Sequence, residues 1–351
     1  MTRNPTEYIR ADILALEPYS SARDEFDGEA TVFLDANENA LDPLGKQVHR
    51  YPHPGYQELK EAISRWRNVA PERIFVGNGS DEAIDLLIRA ACFPGRDEIM
   101  VLPPTYGMYA VQARIQGVHV QSVVLTEEFQ PDVGAILDAS TDATRILFLC
   151  SPNNPTGNIL APERVEALLR QFRGLVVVDE AYIDFAEEPG WLSRLEEFPN
   201  LVVLQTFSKA IGLAGIRLGM AFGHPDVIAV LNKIKFPYNL NRLTVQVALE
   251  ALEDRTALDH AIRQIVRERE RLATALRRIP GVEQVFPSQA NFLLVQFADA
   301  EAVFRYLQRR GVIVRDRSRL PRCHGCLRIT VGTPEENDYL LTLLQEMKQV
   351  T

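Results

Sequence analysis

Cysteine is scarce in this chain. Four among 351 residues are too few for the disulfide framework that staples small secreted folds. Two of them, Cys323 and Cys326, stand in a CHGC group, but no second ligand pair at zinc-site spacing accompanies them, so reduced thiols near a turn are expected. Long apolar runs are missing as well. No stretch is long enough to span a bilayer, and the opening MTRNPTEYIR lacks the apolar core of a signal peptide. A cytosolic protein is the expectation. Nor is there an excess of positive charge. The 38 basic residues against 47 acidic ones leave a formal net charge of −9, which argues against non-specific attraction to nucleic acid or anionic membranes. Internal repeats and low-complexity segments are absent too.

What does recur is a short apolar run that stops abruptly at polar residues. RIFV (73–76) is followed by GNGSDEAIDLLIRAA, ILFLC (146–150) by SPNNPTG, LVVV (175–178) by DEAYIDF, and LVVL (201–204) by QTFSKA. Continuous, β-branched runs without alternation predict strands buried on both faces, as in a parallel sheet. Helical spacing fills the intervals: Ile84, Leu87 and Ile88 within 81–91, and Val165, Leu168 and Leu169 within 162–172, where Pro162 suits an early helical position. The expected fold class is α/β, a doubly wound and mostly parallel sheet, in which ligands bind beyond the carboxyl ends of the strands. After about residue 245 the pattern changes. A long amphipathic helix over 256–278 precedes strand-like NFLLVQF, a helix near 300–310, strand-like GVIVR and CLRITVG, and a final helix. The expected organisation is an N-terminal arm (1–31) associated with the small domain, a large domain (32–245) and a smaller α+β domain (246–351).

The polar clusters carry the chemistry. GNGSD (77–81) follows a strand and opens a helix, offering free N–H groups and the positive end of a helix dipole to an anion. Glu82 stands where a dinucleotide fingerprint needs its third glycine, and a capped turn would explain this stretch alone equally well. Asp179 ends an apolar strand, where an unpaired carboxylate is costly to desolvate. Tyr182 offers a phenol and Asn154 an amide from a proline-set turn. Lys209 stands among small and apolar residues, which would depress its pKa and make it nucleophilic. With Arg217, these are the parts that hold pyridoxal phosphate.

GNGSD, PPTYGMY, SPNNPTG, VVDEAYIDF and FSKAIGLAGIRLG, in this order, resemble the fold-type-I pyridoxal-phosphate aminotransferases. PYSSAR (18–23), LDANEN (34–39), RYPHPGYQEL (50–59), VIVRD (312–316) and GCLRITVGTPEEN (325–337) resemble, more narrowly, the branch acting on histidinol phosphate. The resemblance implies that Lys209 binds the aldehyde of pyridoxal 5'-phosphate and later moves the substrate's Cα proton. It implies that Asp179 keeps the pyridine nitrogen protonated, that Tyr182 and Asn154 hydrogen-bond the ring oxygen, and that Tyr106 stacks on the ring. Gly79, Ser80 and Asp81, with Thr206, Ser208 and Arg217, would hold the phosphate. Tyr51 would reach that phosphate from the second subunit of a homodimer. Tyr19, Asn37, Arg315 and Arg328 would bind substrate, arginine suiting both phosphate and carboxylate through its planar fork. The implied reaction is reversible transamination of L-histidinol phosphate with 2-oxoglutarate, in histidine biosynthesis. An aromatic aminotransferase and a threonine-phosphate decarboxylase on the same scaffold are the alternatives.

Overall fold

The computed structural model describes residues 4–347 apart from 21, 24, 27–29 and 54. Parts of the expected N-terminal arm (1–3, 21, 24, 27–29) and position 54 of the 50–59 motif therefore lie outside the described residues.

In chain order come α1 (Ala11–Ala15), α2 (Gln57–Arg67), β1 (Ile74–Asn78), α3 (Gly79–Ala91), β2 (Glu98–Val101), α4 (Met108–Ile115) and β3 (His119–Ser122). Then follow α5 (Val133–Ala139), β4 (Thr144–Cys150), α6 (Pro162–Gln171), β5 (Leu175–Asp179), β6 (Leu201–Thr206) and β7 (Leu218–Phe222). These strands form one sheet in the order β1-β7-β6-β5-β4-β2-β3. The run from β3 to β6 is parallel, and β7 is antiparallel to both β6 and β1.

The continuous apolar strands are explained by layers on both faces. Leu175 and Val177 of β5 pack in one core with Ile84 and Leu87 of α3, while Val176 and Val178 pack in another with Leu168 of α6 and Phe172. Successive residues of a strand point to opposite faces, so a strand covered on both has no place for a polar alternation. Each such fully buried aliphatic side chain contributes about 1.5–3 kcal/mol before entropy is counted.

The expected strands at 73–76, 146–150, 175–178 and 201–204 are all present within a residue or two. Three others were not read from the sequence. β3 is a half-exposed edge strand of sequence HVQS, β2 is only EIMV, and β7 follows immediately after a loop rich in glycine.

Beyond β7 lie α7 (Pro225–Ile234), α8 (Arg242–Glu253), the long α9 (Thr256–Leu276), β8 (Val282–Val285), β9 (Phe292–Phe297), α10 (Ala300–Arg309), β10 (Arg315–Asp316), β11 (Cys326–Thr330) and α11 (Pro334–Met347). β8 to β11 make a second, antiparallel sheet in the order β10-β11-β9-β8. Its core gathers Leu272, Leu276, Leu293, Val295, Leu340 and Leu344. The apolar stripe of α9 is divided in use: Leu272 and Leu276 enter this core, while Ile262 and Ile265 pack against Tyr182, Phe185 and Phe292 near the large sheet. Arg269, in the same helix and 5% exposed, donates to Phe185 O and Ala290 O, both at 3.2 Å, and so ties the two sheets together.

Three features bear on the expected organisation. Residues 8–14 of the expected arm pack on the large sheet's helices. Tyr8 and Ile9 are buried in the core that holds Phe75 and Ile84. Arg10 donates to the carbonyls of Arg89 and Cys92 at the end of α3, and Lys233 of α7 donates to Leu14 O. An apolar Tyr–Ile pair is stabilised where it closes an open flank of helices, and α3 and α7 present one. The stretch GVIVR is a strand only at its last residue, because β10 spans Arg315–Asp316 and the preceding residues pair with no strand. The division at 245/246 falls inside α8, which packs on α2.

Gly219 sets how closely the sheet meets α3. A Cβ there would lie 2.1 Å from both the Gly79 carbonyl carbon and the Ser80 nitrogen, and backbone cannot yield as a flexible side chain can. Gly219→Ala is expected to destabilise the fold by about 1–3 kcal/mol, read as a lower urea midpoint at unchanged slope. An unaltered midpoint would mean that β7 and α3 approach less closely than described.

Candidate active site

The parallel strands β4, β5 and β6 end at one cavity, together with the first turn of α3. Its wall is formed by Gly79, Ser80, Asp81, Tyr106, Cys150, Asn154, Asp179, Ala181, Tyr182, Thr206, Ser208, Lys209 and Arg217. Every residue expected to hold the cofactor is in that wall except Tyr51.

One end of the cavity is built for an anion. Gly79 N donates to Arg217 O at 2.6 Å, which fixes the helix start against the loop and leaves the Ser80 and Asp81 N–H groups open in the first turn. Arg217 takes up the left-handed conformation (φ 58°), sparsely populated for a non-glycine residue and concentrated at functional sites. Its Nη2 lies 3.6 Å from Asp81 Oδ2, and Asp81 Oδ1 also accepts from Tyr106 Oη at 3.1 Å. Thr206 Oγ1 donates to Leu218 O and accepts from Ser208 N, both at 3.1 Å, so the β6–Lys209 turn is held by the hydroxyl that faces the cavity.

The other end is acidic. Asp179, 3% exposed, accepts at Oδ2 from Tyr109 Oη at 2.6 Å and at Oδ1 from Ala181 N at 3.1 Å. Burial pushes its carboxyl up to about 6, against the downward pull of those two hydrogen bonds. Among the described residues no cation in direct contact offsets that burial, so the geometry calls for a positively charged partner at this end.

Lys209 opens into the cavity, and its pKa is lowered in the expected direction. Its sequence neighbours Ala210 and Ile211 are buried, but its own side chain is exposed to the cavity, with Nζ 5.7 Å from the centre of the Tyr182 ring. Its pKa is lowered by desolvation first and by the Arg328 charge second, with Asp179 pulling the other way. The amine is thus activated by nearby protein mass and like charge. Behind it, Asn154 uses both ends of its amide: Nδ2 donates to Tyr182 Oη at 3.3 Å, and Oδ1 accepts from Arg328 Nη1 at 2.5 Å. Arg328 comes from the second sheet and also lies over the Phe292 ring at 5.3 Å. It therefore stands beside the cavity wall, joined to it through Asn154. Arg315 faces it across the β10–β11 pair.

The remaining candidates are elsewhere in this chain. Tyr51 stacks on Tyr238 with ring centres 4.4 Å apart, and with Asn37 it lines a separate cavity of about 510 Å³. Tyr19 is 74% exposed. The LDANEN segment is organised by Glu38, which accepts from Arg23, from Arg50 and from Tyr51 N. Burial raises the Glu38 pKa, but these donors outweigh it and hold it at about 2. Cys323 and Cys326 are both buried, with burial pushing their thiols up to about 11 and 12.

Tyr109, Cys150 and Glu180 were not singled out from the sequence. Tyr109 is in the PPTYGMY motif, but only the fold carries its hydroxyl to Asp179. Glu180, one residue on, points to the opposite face of the strand end. It is 2% exposed and accepts from Trp191 N at 2.6 Å and from Gln205 Nε2 at 2.9 Å. Burial pushes it up to about 7. Both carboxyls titrate above their ordinary values of 3.8 and 4.5. Their contribution to apoprotein stability is therefore full below those ordinary values. It is lost as pH rises through about 6 for Asp179 and about 7 for Glu180, at about 3 kcal/mol each. Glu180→Gln should flatten the decline of the apoprotein's urea midpoint between about pH 5 and about pH 8. A decline as steep as in the unaltered protein would rule out protonation of Glu180 in that range.

This arrangement can be set beside known proteins. The family described as aminotransferase class I and II matches residues 24–344. The chain is similar to a histidinol-phosphate aminotransferase of Parabacteroides distasonis, 51% identical over 342 residues, which cover 97% of this chain and 98% of that one. The histidinol-phosphate aminotransferase of Cytophaga hutchinsonii is 52% identical over 338 residues, covering 96% and 97%. Among solved structures, that of histidinol-phosphate aminotransferase from Sinorhizobium meliloti in complex with pyridoxal-5'-phosphate matches with a TM-score of 0.78 at 26% identity, over 87% of this chain and 84% of that one. Matched by the family along most of its length and by half-identical relatives along nearly all of it, the chain belongs to the aminotransferase class I and II family.

Proposed function

We propose that this protein catalyses the reversible transamination of L-histidinol phosphate with 2-oxoglutarate, giving imidazole-acetol phosphate and L-glutamate in histidine biosynthesis, with pyridoxal 5'-phosphate as cofactor and in the cytosol. The observation that carries the reading is the single cavity with an anion-binding turn at one end, a buried Asp179 at the other and Lys209 between them. Relatives named histidinol-phosphate aminotransferase, about half identical over nearly the whole chain, support the substrate.

The residues present fit the cofactor. The open N–H groups of Ser80 and Asp81, with Ser208, Thr206 and Arg217, would hold its phosphate, and Asp179 supplies the negative partner for its ring nitrogen. When bound, pyridoxal phosphate supplies an aldehyde that takes the substrate's amino group and a ring that accepts the electrons left at Cα. Lys209 Nζ removes the proton from the substrate's Cα and delivers it on the cofactor side, a task suited to an amine whose pKa is lowered. Asp179 holds a proton at the ring nitrogen, and Tyr109 and Ala181 N fix the orientation of its carboxylate. Tyr182 and Asn154 present a hydroxyl and an amide to the ring oxygen. Arg328, braced on Asn154, pairs with the anionic group at the far end of either substrate, a phosphate in one half-reaction and a carboxylate in the other, and Arg315 stands beside it.

The partner is a second copy of this chain. Val32, Leu34, Leu41, Leu44, Phe236 and Leu243 are each 60% exposed or more, a set of apolar side chains expensive to leave in water. They belong to the segments that carry or adjoin Asn37 and Tyr51. In the dimer Tyr51 reaches the neighbouring phosphate site, and Asn37 and Tyr19 approach the neighbouring substrate.

Two experiments test this. In a single-turnover absorbance experiment without keto acid, histidinol phosphate should convert the cofactor far faster than phenylalanine does, and threonine phosphate should release no carbon dioxide. Lys209→Ala should abolish both the lysine-bound absorbance band and turnover. Conversion by phenylalanine with no response to histidinol phosphate would assign the chain to another branch of the family. The second experiment mixes two inactive variants, Lys209→Ala and Tyr51→Ala, and allows their subunits to exchange. If Tyr51 serves the partner's site, mixed dimers contain one intact site and activity returns. If it serves its own, no mixture recovers.

A further inference from the structure

The segment RDRSRLPR (315–322) carries four arginines in eight residues, and the structure sorts them by partner. Arg322 donates to Leu125 O at 2.7 Å and lies 3.5 Å from Glu127. Arg319 is exposed. Neither Arg315 nor Arg317 has a side-chain hydrogen bond or an ion pair with any described residue. The Nε of Arg317 is buried without a partner, and so is that of Arg328.

The strand register brings three of these guanidinium groups together. Arg315 faces Arg328 and Asp316 faces Leu327 across the β10–β11 pair. Arg317 N donates to Cys326 O at 2.9 Å, which extends the ladder by one rung. Alternate residues along a strand share a face, so Arg315, Arg317 and Arg328 project to one side and Asp316 to the other. Asp316 is occupied there, accepting from Ser318 N at 2.8 Å. On the shared side Arg328 already reaches Asn154 in the cavity wall. Desolvation first, then the charges of Arg328 and Arg315, act against the charge on Arg317. Partly desolvated like charges, offset at Arg317 by the Asp316 carboxylate from the other face, are costly to hold together, and a dianion relieves that cost more fully than a singly charged carboxylate.

We infer that Arg317 is the third arginine, with Arg315 and Arg328, of a subsite for a phosphomonoester dianion, and that it biases the enzyme toward the phosphorylated amino donor over glutamate. This rests on the reading under "Proposed function" for the identity of the donor, but not for the chemistry of the subsite. A carboxylate is satisfied by one bidentate arginine, whereas the three oxygens of a phosphomonoester accept from several. Arg317 therefore adds a contact that the phosphorylated substrate uses and glutamate uses less.

The test compares the holoenzyme with its Arg317→Gln and Arg317→Lys forms. Apparent dissociation constants for histidinol phosphate and for glutamate come from single-turnover cofactor conversion. Calorimetry with propyl phosphate, a phosphomonoester without an amine, measures the subsite apart from any reaction. Arg317→Gln should change the ratio of the two substrate constants against histidinol phosphate by roughly ten- to a hundredfold, the worth of a hydrogen bond to a charged group. It should weaken propyl phosphate by a similar factor, with Arg317→Lys in between. An unchanged ratio, or equal weakening of both substrates together with a lower melting temperature, would overturn the inference and leave Arg317 a structural residue. If the unaltered enzyme ignored histidinol phosphate, the proposed reaction would fall, and the propyl phosphate measurement alone would decide the subsite.

Discussion

The buried carboxylate of Asp179 is the constraint on which the rest of the site depends. It stands at the end of a strand whose preceding residues are fully buried, where ionisation is expensive. The protein orients it with two donors, Tyr109 Oη and Ala181 N. None of the described residues brings a cation into contact with it. The resulting imbalance, visible as a carboxyl raised to about 6, leaves the acid unsatisfied until a positively charged group arrives. A protonated ring nitrogen is such a group. On the proposed reading, the turn at the opposite end of the same cavity would hold the phosphate of the same molecule.

Asn154 joins the cavity to the second sheet. Its amide is shared between Tyr182, beside Lys209, and Arg328, which arrives from the second sheet. A movement of β11 therefore reaches the Tyr182 hydroxyl through one side chain. Arg269, bonded to carbonyls next to both sheets, limits how far such a movement can go. Electrostatic coupling runs along the same path, since the Arg328 charge contributes to lowering the Lys209 pKa. An anion bound to the arginines would screen that charge and make Lys209 more basic, so that occupancy of the distal subsite and proton affinity at the amine are linked.

Much of this was legible in the sequence because it is local. Runs such as LVVV and ILFLC identify strands covered on both faces, for four or five consecutive apolar residues in an extended chain present apolar side chains to both sides. GNGSD and the proline turn SPNNPTG mark where the chain must reverse at those strand ends. Arg217 and Lys209 lie in one segment and share one loop. Strands without an apolar signature were lost, as the half-exposed HVQS of β3 demonstrates. The packing of the Tyr8–Ile9 segment was not legible, because an apolar pair says that it will be buried but not against what.

The sequence by itself determined the fold class, the polar ends of the central strands and the residue types gathered there, because each is set by local periodicity and turn chemistry. Only the tertiary structure decided that Lys209 faces the cavity between Asp179 and the α3 turn, that Tyr109 lies 2.6 Å from Asp179 across 70 residues of chain, and that Arg315, Arg317 and Arg328 share one face of the second sheet. Those facts depend on strand register and on packing between distant segments. A one-residue slip of β10 against β11 would turn Arg315 and Arg317 to the face opposite Arg328, and nothing in the local sequence states that register.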